Sequence, residues 1–272
     1  MTSIDKIYGL FRRLSPSVIL VVANVAVFVV LRIIAIIVRF VDMPNGVDAM
    51  VNSLLLPHTF SEWIYVPWTA LTYMFVQYEP LHLLMNMLWL YMFGNILDKV
   101  VSRRQFFSIY LAGGIVGALS YLAVGSMIGA TSAGLTGASA SILAVMASAV
   151  VLMPALQLRL FLIGEASLKV VVFIAVVLVV LATGVGNYSV HAAHIGGFLA
   201  GVVAVCVIRH KLFFVGKSMR KPQSSEAESE AALDELLDKI RRSGFNSLTS
   251  SERVRLIKIS SNLQKHSNET QR

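Results

Sequence analysis

Six apolar runs set the terms for any fold this chain adopts: Pro16–Arg39, Leu81–Asp98, Gln105–Met127, Gly137–Met153, Leu168–Thr183 and Tyr188–Ile208. A helix that crosses the hydrocarbon core of a bilayer needs about 20 mostly apolar residues. The pattern predicts an all-α polytopic membrane protein with six spans. Composition agrees, because 14 % of the residues are charged where a soluble domain carries about 25 %. The first run lacks an A-x-A-like cleavage site and reads as a retained first helix. One cysteine, Cys206, leaves no partner for an intrachain disulfide.

Charge then orients the spans. Thirteen of the 23 Lys and Arg lie from Arg209 onward, mixed with acids, and most of the others flank apolar runs. That distribution argues against a nucleic-acid partner, despite a formal net charge of +8. Lys6, Arg12 and Arg13 precede the first run. Lys99, Arg103 and Arg104 join the second to the third, Arg159 and Lys169 join the fourth to the fifth, and Arg209, Lys211 and Lys217 follow the sixth. The stretches Val41–Pro80, Val124–Thr136 and Gly184–Val190 contain none. Positive charge marks the cytoplasmic side, so both termini are expected in the cytoplasm, with a bacterial inner membrane as the best-fitting setting. Arg32 and Arg39 lie inside the first run, where snorkelling to the outer interface is the expectation. The outer stretch 41–80 is apolar and rich in aromatics, and is expected to lie partly in the outer leaflet.

The organisation that follows is a cytoplasmic segment 1–15, a six-helix domain 16–210, and a cytoplasmic linker with a small helical hairpin, 211–272. In the tail, "EAALDELLDKIRR" places Leu233, Leu236, Leu237 and Ile240 on one helical face. Gly244 supplies a stop, and Thr249 with Glu252 forms a capping box for a second helix. The tail carries no chemistry, and its partner is not legible.

Polar side chains within membrane runs are costly and need a reason. His82 and Asn86 open the second run, Ser139 the fourth and His194 the sixth, with His191 nearby. By the charge topology all lie in the outer half of the bilayer, at similar depth. His82 and Asn86 are four apart and share a helix face. His194 precedes "IGGFLAG", whose Gly197 and Gly201 form a G-x-x-x-G that lets a neighbouring helix approach closely. The small residues of "GLTGASASIL", Gly134–Leu143, suit the opposing surface. Packing glycines, a hydrogen-bonded structural histidine and interhelical amide contacts are the plain alternatives for each residue taken alone. Metal binding by the histidines is disfavoured, since no H-E-x-x-H and no aligned acid occurs in the runs.

Together "HLLMNMLWLYMFG" (82–94), "GASAS" (137–141) and "AHIGGFLAG" (193–201) resemble the rhomboid family of intramembrane serine proteases. The resemblance covers all six runs. It implies a six-helix rhomboid-like bundle with a membrane-associated first outer loop. It implies Ser139 as nucleophile, His194 as general base, and His82 with Asn86 and the serine backbone N–H as the oxyanion hole. Gly137, Gly197 and Gly201 match the family's glycines, and Trp68 matches the Trp of a common Trp-Arg pair in the outer loop. The tail is similar to an appendage of some bacterial members. Three positions depart from the pattern. Ala140 follows the serine where Gly is usual, which narrows the packing against the last span. Leu143 stands where an aromatic commonly stacks on the histidine, and Thr69 replaces the loop Arg.

A hydroxyl becomes a nucleophile when a base takes its proton, and His194 serves without the carboxylate of a soluble triad. The expected function is cleavage of transmembrane-helix substrates in the outer half of the bilayer, with no cofactor and no metal. The expected partners are membrane-protein substrates and lipid. His191 as base and Ser141 as nucleophile are the rival assignments. The rival functions are a catalytically silent rhomboid-like protein that binds membrane helices, and a small transporter. The transporter is disfavoured by the lack of repeated hydropathy halves or a charged pathway.

Overall fold

The structure, a computed structural model, describes residues 14–40, 50–129, 134–160, 164–184, 186–219, 224–244, 247–249, 252 and 256. Helices occupy all six apolar runs. The first, α1 (Pro16–Phe40), leads into the outer loop, which folds as α2 (Phe60–Trp63), α3 (Thr69–Thr72) and a 3-10 turn (Tyr73–Phe75). Then come α4 (Pro80–Leu97), α5 (Arg103–Ile128), α6 (Ser139–Leu152), a hairpin of β1 (Gln157–Leu160) and β2 (Gly164–Ser167), α7 (Leu168–Thr183), α8 (Tyr188–Met219) and α9 (Ser224–Ser243).

Among the described residues three helices are long and apolar enough to cross a membrane: α1, α5 and the part of α8 at Tyr188–Ile208. The other three are shorter, with 18 residues in α4, 14 in α6 and 16 in α7. Local chemistry sets several helix starts. Pro80 opens α4, where its fixed φ suits the first turn. Ser102 and Gln105 close a capping box on α5. The Ser167 hydroxyl accepts the Val170 N–H at the start of α7.

The architecture centres on α6. Every residue from Ala140 to Ala149 is buried, as expected of a helix enclosed on all sides. It packs against α4, α5 and α7, and against α8 through glycines described below. Its alanines and serines let neighbouring backbones close in. The opposite pattern marks the periphery, where Val30, Ile33 and Ile36 of α1 and Phe173 and Leu181 of α7 are exposed, the surface a bilayer would cover.

Two of the connections are themselves folded. The outer loop packs part of its described length on the helices and leaves other apolar side chains exposed. Leu55, Leu56, Tyr73, Met74 and Val76 are buried, and Phe60, Ile64, Tyr65 and Trp68 stay exposed. The Tyr73 hydroxyl donates to the Gly114 carbonyl at 2.7 Å, and Leu56 exchanges backbone hydrogen bonds with Leu135 ahead of α6. The connection between α6 and α7 is also more than a link. Its strands pair antiparallel, Gln157 opposite Ser167 and Leu160 opposite Gly164. The brief alternation of "QLRL" is the trace of it in the sequence.

Contacts divide the chain into Met1–Ile208 and Arg209–Arg272. In the second unit α9 ends at Gly244, whose φ of +77° suits glycine and whose N–H donates to the Ile240 carbonyl. The Thr249–Glu252 capping box forms with both hydrogen bonds, at 2.8 and 3.4 Å. Of the expected apolar face Leu236 is buried but Leu237 is 47 % exposed. Most of the second tail helix lies outside the described residues.

Candidate functional site

The site begins where α6 begins. Gly137 holds a φ of +101°, which L side chains rarely adopt, and its N–H donates to the Tyr73 carbonyl at 3.0 Å. This turn places Ser139 as the first residue of α6, half-buried, with its hydroxyl free of any capping duty.

His194 arrives from α8. A Cβ on Gly197 would collide with the Ala140 carbonyl oxygen, and one on Gly201 with that of Ala144. The two backbones are therefore in contact, as the G-x-x-x-G reading requires. The Ser148 hydroxyl adds a 3.0 Å bond to the Gly201 carbonyl. At the outer end of this seam Ser139 Oγ and His194 Nε2 stand 2.8 Å apart. His194 is 7 % exposed, and its Nδ1 is buried with no hydrogen-bond partner among the described residues.

The rival groups are committed elsewhere. His191 Nε2 lies 3.1 Å from the Gly184 carbonyl oxygen. Ser141 is fully buried, with Oγ 3.8 Å from Met74 Sδ. The expectation that Ala140 narrows the packing against the last span is corrected. It is the Ala140 backbone that meets Gly197, while its methyl faces α5, where a Cβ on Gly117 would lie 2.6 Å from it. A glycine in α5 makes room for the extra carbon. Leu143 is buried in the core. Trp68 is half-exposed and donates its indole N–H to the Ser53 carbonyl.

His82 and Asn86 project from α4 toward the same turn. A Cβ on Gly137 would lie 3.0 Å from His82 Cε1 and 3.6 Å from Asn86 Nδ2. A glycine two residues before the serine leaves His82 the room it takes, while the spacing to Asn86 is ordinary contact. Ser139, His194, His82 and Asn86 line one pocket of about 460 Å³, with Trp89 of α4 on one side and Leu178, Val179 and Thr183 of α7 on the other. Glu79 stands in its lining as well. Among the described residues no group of three or more His, Cys, Asp or Glu is placed to hold a metal ion.

The sequence reading missed a chain of buried amides behind Asn86. Asn86 Nδ2 donates to Gln77 Oε1 at 2.9 Å, and Gln77 Nε2 donates to Asn24 Oδ1 at 3.2 Å. Asn24 Nδ2 donates in turn to the Leu20 carbonyl at 2.9 Å and the Tyr110 hydroxyl at 3.3 Å. The three amides are 5 % exposed or less. An asparagine within the first apolar run was the available signal. One residue on, the Arg32 guanidinium donates to the Tyr78 carbonyl and lies over the Phe28 ring. Arg32 thus has a partner at the mouth of the pocket rather than a purely interfacial role.

Comparison with known proteins matches residues 66–211 to a family model described as Rhomboid domain. Residues 223–262 match a second model, a family of unknown function (DUF6576). The Presenilin-associated rhomboid-like protein A, mitochondrial, of Danio rerio is 31 % identical over 134 residues. That match covers 47 % of this chain and 34 % of the relative, so the chain spans about a third of that protein's length.

Proposed function

This chain belongs to the rhomboid family, its domain model covering more than half the residues, and from that premise we propose that it is an intramembrane serine endopeptidase acting through a Ser139–His194 dyad. The observation that carries the reading is the 2.8 Å contact between Ser139 Oγ and His194 Nε2, inside a pocket that His82 and Asn86 also line.

The chemistry follows from that contact. His194 accepts the hydroxyl proton at Nε2 as Ser139 Oγ attacks a substrate peptide carbonyl. It then returns the proton to the leaving amine, which frees the new N-terminus and leaves an acyl-serine. Water hydrolyses that ester by the same proton transfers in reverse order. The oxyanion that develops in each step is stabilised by donors from His82, Asn86 and the Ser139 backbone N–H. One such donor is worth about 10²–10³ in kcat. The substrates are membrane proteins whose transmembrane helix is weakened near the cleaved bond, because an intact helix keeps its carbonyls in its own hydrogen bonds. The pocket faces the side of the bilayer opposite the Lys- and Arg-rich connections.

The test pairs a covalent probe with a substrate. Wild-type protein in liposomes is expected to react with a fluorophosphonate and to cut a helix-destabilised membrane reporter. Ser139→Ala and His194→Ala are expected to do neither. Cleavage retained in either variant refutes the dyad. A folded wild type that neither labels nor cuts assigns the protein to helix binding without catalysis.

A further inference from the structure

We propose that Gln77 and Asn24 are positioning residues that fix which end of the Asn86 amide faces the oxyanion. The inference rests on the dyad reading given above. Its basis is the direction of the buried hydrogen bonds, which one backbone group dictates.

The Leu20 carbonyl can only accept. Asn24 therefore turns its NH2 to it and its Oδ1 away, toward Gln77. Gln77 must meet that oxygen with its own NH2, which leaves its Oε1 for Asn86. Asn86 must then present its NH2 rather than its oxygen. That nitrogen is the Asn86 atom nearest the Gly137 turn, since a Cβ on Gly137 would lie 3.6 Å from Nδ2. One of its hydrogens goes to Gln77 and the other remains for the substrate oxygen.

A flipped Asn86 would set Oδ1 against Gln77 Oε1 at about the same 2.9 Å separation, two acceptors face to face and too close for a bridging water. It would also put an acceptor where negative charge develops in the reaction. Burial enforces the order, because an unmatched polar pair in a low-dielectric interior costs far more than in water. A single carbonyl of α1 thus sets the polarity of a donor on α4 through two intervening amides. Neither Gln77 nor Asn24 touches the substrate. Arg32 supports the same segment from two turns further along α1, through the Tyr78 carbonyl.

The experiment is a double-mutant cycle on the full chain in liposomes, with the membrane reporter and with Ser139→Ala as the inactive control. Gln77→Met keeps the length of the side chain and removes both its donor and its acceptor. It is expected to lower kcat about 10- to 100-fold, a large part of one oxyanion donor, and to leave KM within about twofold. In an Asn86→Ala background the same substitution should lower kcat no further, because the group it positions is gone. Asn24→Leu should behave alike with a smaller loss, and carries the cycle if Gln77→Met does not fold. Equal losses with and without Asn86, a change confined to KM, or an unchanged kcat overturns the positioning role and leaves the dyad standing. An inactive wild type, or an active Ser139→Ala, overturns the dyad and this inference with it.

Discussion

The pocket has two walls built on opposite principles. On one side α6 and α8 meet backbone to backbone, through Gly197 and Gly201, with nothing between them that could give way. On the other side stand α4 and the C-terminal half of α7; the buried residues of α7, namely Leu168, Val171, Val172 and Ala175, all lie in its N-terminal half. The proposed dyad, Ser139 and His194, spans the first wall. The second carries the long side chains Trp89 and Leu178 into the pocket lining. The contrast separates two demands on such a site. A proton transfer over 2.8 Å needs fixed distances, and a peptide segment needs a boundary that yields.

The sharpest way to break this contrast is to push the seam apart far from the chemistry. Gly201 lies seven residues, about two turns, inward of His194, and a Cβ there would collide with the backbone of Ala144. Gly201→Val is expected to abolish fluorophosphonate labelling and to lower kcat/KM at least about 100-fold, the cost of displacing reacting groups by roughly 1 Å. Helix content by circular dichroism should stay near the wild-type value. Ala144→Gly should not rescue it, because the collision is with a carbonyl oxygen rather than a methyl. A Gly201→Val protein that still labels at the wild-type rate would mean that something other than the seam sets the dyad distance.

That seam was legible in the sequence. Small residues in apolar membrane runs have few uses other than close approach, so "GASAS" and "IGGFLAG" point at each other from sequence alone. His82 and Asn86 were equally legible from their four-residue spacing. Hidden from the sequence was everything that depends on which face a loop residue turns. Gln77 sits in an unremarkable "FVQYEP", and nothing local says that it reaches both Asn24 and Asn86. The methyl of Ala140 illustrates the same limit. Its motif points to the last span, while its actual neighbour, Gly117, belongs to α5. Periodicity reports faces of one helix, and the choice among four neighbouring helices is a tertiary fact.

The opposite wall should respond to truncation with a gain. A pocket of about 460 Å³ is small for a stretch of membrane-derived peptide, considering that a helix with side chains is about 10–12 Å across. If the proposed membrane substrates bind here, α4 and α7 part to admit them. Leu178 lines the pocket from α7, and if Leu178→Ala favours the open arrangement by about 1 kcal/mol, the open population changes about fivefold. Cleavage of the membrane reporter should rise by about that factor. Labelling by a small fluorophosphonate, which fits the closed pocket, should change less than twofold. If Leu178→Ala slows both reactions alike, the wall is part of the fixed frame and the contrast fails.

The smallest effect asks whether the gain belongs to the pocket lining or to α7 as a whole. Phe173 lies on the same helix, is 68 % exposed, and does not line the pocket. In a bilayer its ring exchanges one apolar neighbour for another, and no hydrophobic driving force is lost when it is trimmed. Phe173→Leu should therefore leave reporter cleavage and probe labelling both within about twofold of wild type, below the roughly fivefold change at Leu178. A gain at Phe173 equal to that at Leu178 would show that loosening α7 anywhere is enough. The yielding element would then be the helix as a rigid unit hinging on its buried N-terminal half, and the side chains at the pocket would matter only as its surface.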